Sequence, residues 1–129
     1  MLDTNAVSAL LKQKPEIRKN VTSKPLNSIC ISAITEAEMM FGLAQRPELI
    51  ELRNLVYEFL VHVDSLPWES QQARVYGELR AELKKKNITI APMDLLIAAH
   101  AYSLGAVLVT SDKAFSRIDG LMVEDWNAE

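Results

Sequence analysis

The sequence predicts an α/β fold: a central, mostly parallel sheet of about five strands flanked by helices. Short apolar runs with strand character alternate with longer segments whose apolar residues recur at three and four. Such alternation implies parallel strands joined by right-handed helical crossovers. One run, AVLVTSD at 106–112, is apolar almost throughout, as in a strand covered on both faces. At 129 residues, 49% apolar and 24% charged, the chain suits one domain spanning 1–129 with a real buried core.

The elements follow in order. Met1-Leu2-Asp3 reads as the end of a short first strand, and Val7 to Lys12 has helical spacing. Pro15 opens a second helix, PEIRKNVTSK, because proline fits a first helical turn. Ser28 to Ala33 alternates Ile29 and Ile31 with smaller residues, as a strand does. Thr35 then begins a helix, TEAEMMFGLAQ, expected to stop near Gly42. Pro47 starts PELIELRNLVYEFLVHV, and Val61-His62-Val63 reads as a third strand. An amphipathic helix from about Glu69 to Lys86 precedes one that Pro92 opens and Gly105 closes. After AVLVTSD, a turn KAFSRI leads to a last strand near LMVEDW.

In open parallel sheets, sites lie outside the carboxyl ends of the strands. Four acids fall at such places: Asp3 after the first strand, Glu38 in the following helix, Asp94 at a helix start, and Asp112 after VLVTS. Gathered carboxylates repel, and some protonate unless a cation neutralises them. An oxygen-only donor set suits Mg²⁺, or Mn²⁺. Such an ion can activate water against a phosphodiester. Thr4, Asn5, Thr35, Thr110 and Ser111 are the candidates for orienting these carboxylates. Each acid also has a plainer reading, since Asp3 and Asp94 can cap helices and Asp112 can form a turn. Glu36 and Glu38 lie about 200° apart on a helix, so only one of them can face the site. Glu36 is then expected to be a solvated first-turn acid.

Composition excludes little. The net charge of −3 argues against a basic nucleic-acid coat. Setting the four acids aside, however, 14 basic residues face 13 acidic ones (17 less those four). The single Cys30 and the absence of a membrane-length apolar run or leader point to a cytoplasmic protein without membrane attachment. Lys84-Lys85-Lys86 reads as a solvated helix end that suits the macrodipole, with RNA phosphate contact as the alternative. His100 reads as structural, and Met39, Met40 and Phe41 as core.

MLDTN, ITEAEMMFG, APMDLLIAAHA and VLVTSDKAF, in this order and spacing, resemble the PIN-domain nucleases, and more narrowly the VapC toxins of bacterial toxin–antitoxin pairs. The likeness runs to the closing VEDW. In that family the acid of D-T-N, the Glu of E-x-x-x-G, the Asp opening the later helix and the Asp of T-x-D form the metal site. Here these are Asp3, Glu38, Asp94 and Asp112. The resemblance implies a Mg²⁺-dependent endoribonuclease acting on tRNA, with the initiator tRNA anticodon loop a candidate target, held inactive by a VapB-type antitoxin. It further implies a homodimer paired through helices, with Leu49, Leu52, Leu55, Val56 and Phe59 as the apolar face. One departure is that only Met1 and Leu2 precede D-T-N, where the family usually shows several more apolar residues. The rival readings are a receiver-like phosphoacceptor domain and a housekeeping RNA-processing PIN nuclease. A receiver needs paired acids after its first strand, whereas here Asp3 is followed by Thr4-Asn5.

Overall fold

The structure is a computed structural model, and it describes residues 1–128. Among the described residues, six α-helices and two short 3-10 helices surround short parallel strands. Strand β1 (Cys30–Ser32) pairs in parallel with β2 (Asp64–Leu66), and β3 (Leu108–Val109) pairs in parallel with β4 (Val123–Glu124). Leu2 lies between the two pairs and bridges Ile31 on one side and Val109 on the other. Its N–H donates to Cys30 O at 2.9 Å, and the Asp3 N–H donates to Val109 O at 3.0 Å. The regular strands among the described residues therefore number four, and the expected first strand is reduced to this bridge.

Successive residues of a strand point to opposite faces. Met1 and Leu108 accordingly enter one apolar cluster, with Leu79 and Leu83 of helix α5 (Ser70–Lys85) and Leu95 and Ile97 of helix α6 (Pro92–Leu104). Leu2 and Val109 enter the other, with Val7 of α1 (Thr4–Leu11), Ile17 of α2 (Pro15–Thr22) and Phe59 of α4 (Ile50–His62). The sheet is thus covered on both faces, which is why VLV carries no polar residue. In α6, Ala98, Ala99 and Ala101 are fully buried, and side chains that small let the helix lie close to its neighbours. Gly105 ends it at φ 63°, the left-handed conformation that glycine adopts without a Cβ penalty.

Several expected boundaries move. Helix α3 (Ala33–Gln45) begins two residues before Thr35, capped by the Ser32 hydroxyl, and runs past Gly42. A Cβ at Gly42 would meet open space, so nothing forces a break there. Val61 and His62 belong to α4 rather than to a strand, and the third strand starts at Asp64. Pro47 precedes α4 by three residues instead of opening it. Phe41, expected in the core, is 64% exposed, while Met39 packs into the second cluster.

Candidate active site

The carboxyl edge of the sheet is built by three junctions. Asp3 leaves the Leu2 bridge and caps α1, accepting the Ala6 N–H at 2.8 Å. Capping and a place in the site are therefore combined in one side chain. Its residue is almost wholly buried, and burial raises its pKa above the ordinary aspartate range. The Asp112 and Glu38 charges push the same way, while bonds from Thr110 and the Ala6 N–H oppose the rise.

Asp94 stands in the first turn of α6, two residues after Pro92, where the macrodipole favours an acid. Its pKa is nevertheless raised, first by burial and then by the Glu38, Asp3 and Asp112 charges. Repulsion from three other acids therefore reaches Asp94. Glu38 lies on α3 and faces this group, held by the Thr4 hydroxyl, which donates to its Oε1 at 2.5 Å. The Thr4 oxygen also stands 3.4 Å from the buried Thr35 Oγ1. Glu36 points elsewhere and accepts from the Ser65 hydroxyl at 2.6 Å. It is half-buried against β2 rather than solvated as expected.

Asp112 is exposed and follows β3. Its carboxylate accepts the Ala114 N–H at 2.9 Å, and its own N–H donates to the buried Thr110 hydroxyl at 3.0 Å. Thr110 thus ties Asp112 to Asp3. The other two orienting candidates stand apart: Ser111 is exposed and donates to Asp125 at 2.7 Å, and Asn5 is exposed on α1. Among the described residues no three His, Cys, Asp or Glu side chains converge tightly enough to enclose an ion unaided. The acids sense one another's charge without forming a closed cage. Mg²⁺ suits that arrangement, since it keeps several waters and binds through one or two carboxylates plus substrate phosphate.

A buried polar strut behind the site escaped the sequence reading. Gln72 of α5 donates to Ser103 Oγ at 3.0 Å, and Ser103 donates to His100 O at 2.8 Å. His100 Nδ1 lies 2.8 Å from Ser32 Oγ, which accepts the Ile34 N–H and so starts α3. The strut links α5, α6 and α3, and hence the helices bearing Asp94 and Glu38. Burial lowers the His100 pKa, so the ring stays neutral. Its signal in the sequence was Glu69-x-x-Gln72, a capping pair observed at the start of α5.

The PIN domain family model matches residues 1–121. Among curated relatives, the tRNA(fMet)-specific endonuclease VapC of Salmonella typhimurium is 38% identical, covering 98% of this chain and 96% of that protein. The enzyme of the same name from Shigella flexneri is 34% identical over 98% of this chain and 97% of its own length. Among solved structures, VapBC2 from Rickettsia felis, bound to a DNA fragment from their promoter, superposes with a TM-score of 0.88 at 32% identity. That match covers 96% of each chain. With matches of this extent, the chain belongs to the PIN-domain family and, within it, to the VapC group.

Proposed function

We propose that this chain is a toxin ribonuclease that hydrolyses RNA phosphodiester bonds endonucleolytically with Mg²⁺, Mn²⁺ being an alternative ion. The observation that carries the reading is the gathering of Asp3, Asp94, Glu38 and Asp112 within reach of one another's charge, where burial first and neighbouring acids second raise the Asp3 and Asp94 pKa values. A chain keeps repelling carboxylates together at a cost in stability, and a divalent cation gives that cost a purpose. When bound, the ion lowers the pKa of water and offsets charge developing on phosphoryl oxygens.

In this reading Asp3 and Asp94 would hold the ion. Glu38, its carboxylate held by Thr4, orients the attacking water, and Asp112 acts through water from the outer rim. Attack on phosphorus with departure of the 3′ oxygen leaves a 3′-hydroxyl and a 5′-phosphate. The names of the Salmonella and Shigella relatives favour tRNA as substrate, with the initiator tRNA anticodon loop as target and arrest of translation as the outcome. The VapBC assemblies among its structural neighbours support a VapB-type antitoxin as the neutralising partner. No helix of the described residues is long and apolar enough to cross a membrane, in keeping with a cytoplasmic enzyme. Producing the chain alone in a bacterial host tests this. We expect growth arrest with cut tRNA, both relieved by Asp94→Asn at equal protein level. Arrest that persists in the variant would overturn the reading.

A further inference from the structure

Beside α5 and the turn leading to α6 lies an open hollow of about 850 Å³. Tyr76, Arg80 and Lys84 form one wall, Asn87 lies at the turn, and Leu83 and Leu95 form an apolar floor. We propose that this hollow binds a nucleotide of single-stranded RNA adjacent to the bond that is cut. The proposal rests on the ribonuclease reading above and adds where the substrate is gripped.

Charge points to the occupant. The lining holds two cations and no acid, in a chain of net charge −3, although α5 also bears Glu78 and Glu82. The basic triplet at the helix end divides accordingly. Lys86 is committed to Asp119 at 2.7 Å, Lys85 does not line the hollow, and Lys84 does. The aromatic wall is braced. Tyr76 accepts at its hydroxyl from Arg80 Nη1 at 2.9 Å, and its ring meets Trp68 edge-on at 6.3 Å. Trp68 is itself fixed to α6 by donating to Leu96 O at 3.0 Å. A held aromatic ring with a guanidinium 5.9 Å from its centroid and a lysine one turn further on matches an unstacked base and its phosphates. Pro92 and Leu95 line the hollow from the same first turn of α6 that bears Asp94, though Asp94 itself does not line it, so a strand running from the hollow to the acids would cross that turn.

The test uses full-length Asp94→Asn protein, which holds RNA without turnover, and a fluorescein-labelled single-stranded RNA oligonucleotide. Anisotropy is followed with Mg²⁺ across a salt series. Adding Arg80→Ala and Lys84→Ala together should weaken binding about tenfold or more and reduce the logarithmic salt slope by about 1.4, or about 0.7 per lost phosphate contact. Tyr76→Leu should weaken binding about 5- to 150-fold through the lost stack while leaving the slope intact. Lys85→Ala removes a charge outside the hollow and should change neither. Circular dichroism melts check folding, and Tyr76→Phe, which keeps the ring, should retain most of the affinity.

If affinity and slope are unchanged in these variants while wild type cleaves RNA, the subsite is wrong and the ribonuclease reading stands. If the parent binds no RNA and wild type cleaves none, both fall. Variants that alter the light-scattering mass but not RNA affinity would mark the hollow as a contact between copies, which also overturns the proposal.

Discussion

At Asp94 and Asp3 the site's electrostatics take a definite sign. Both carboxyls have folded pKa values above the ordinary aspartate value of about 3.9, because burial and neighbouring acids disfavour ionisation. Their contribution to stability is complete below the unfolded pKa and is lost as pH rises through the folded values. The metal-free protein should therefore lose melting temperature as pH rises above about 4, and Asp94→Asn should flatten that decline. At neutral pH in EDTA the variant should melt above wild type by several degrees, on the order of 1 kcal/mol. A lower melt for Asp94→Asn would show that the acids do not repel. Thr4 bears on activity instead: Thr4→Val removes the donor that holds Glu38, and cleavage should fall about 10- to 100-fold with little change in melting. Full activity in Thr4→Val would remove Glu38's orientation from the mechanism. Asp3, Asp94 and Asp112 stood out in the sequence because each followed a strand end or opened a helix, whereas Glu38, inside α3, stood out only through the spacing to Gly42. Ser111 misled because its neighbour Thr110, not Ser111, turns inward: alternate residues leaving β3 point to opposite sides.

Among the elements, α6 and the strands around Leu2 were the most legible. Pro92 and Gly105 mark the ends of α6 by their own backbone chemistry, and the Leu108-Val109 pair had to be buried. The α3 and α4 boundaries were not legible, because tertiary contacts set them. Val63 and Phe59 pack into the second cluster, which extends α4 through residues that β-propensity assigns to a strand. The start of α3 depends on a serine whose second partner, His100, is 68 residues away. Ser32→Ala removes both the cap and that partner, so it should cost about 1–3 kcal/mol and lower the melting temperature accordingly. Calorimetry showing no loss would mean the strut does not hold α3 to α6.

For the whole molecule, the surface is more apolar than an isolated chain needs. Val61 is 78% exposed and Ile50 63%, and Phe41, Tyr57, Leu49, Leu52 and Leu55 are exposed with them on α3 and α4. Val56 and Phe59, expected on this face, are instead spent in the chain's own core. Ile50, Tyr57 and Val61 fall on one side of α4 at about 3.6 residues per turn, and exposed apolar side chains grouped in this way mark an interaction surface. Light scattering across micromolar concentrations should give the mass of a dimer, and a monomer mass throughout would count against self-association. The same fold brings the acids to one sheet edge, with Asp3 buried and Asp112 exposed. Their joint purpose is open to direct measurement: purified protein is incubated with total tRNA, in Mg²⁺ or in EDTA, and the ends of the products are mapped. Cleavage confined to the Mg²⁺ tube, leaving 3′-hydroxyl and 5′-phosphate ends, is the expected result, and equal cleavage in both tubes would contradict a metal-dependent site at Asp3, Glu38, Asp94 and Asp112.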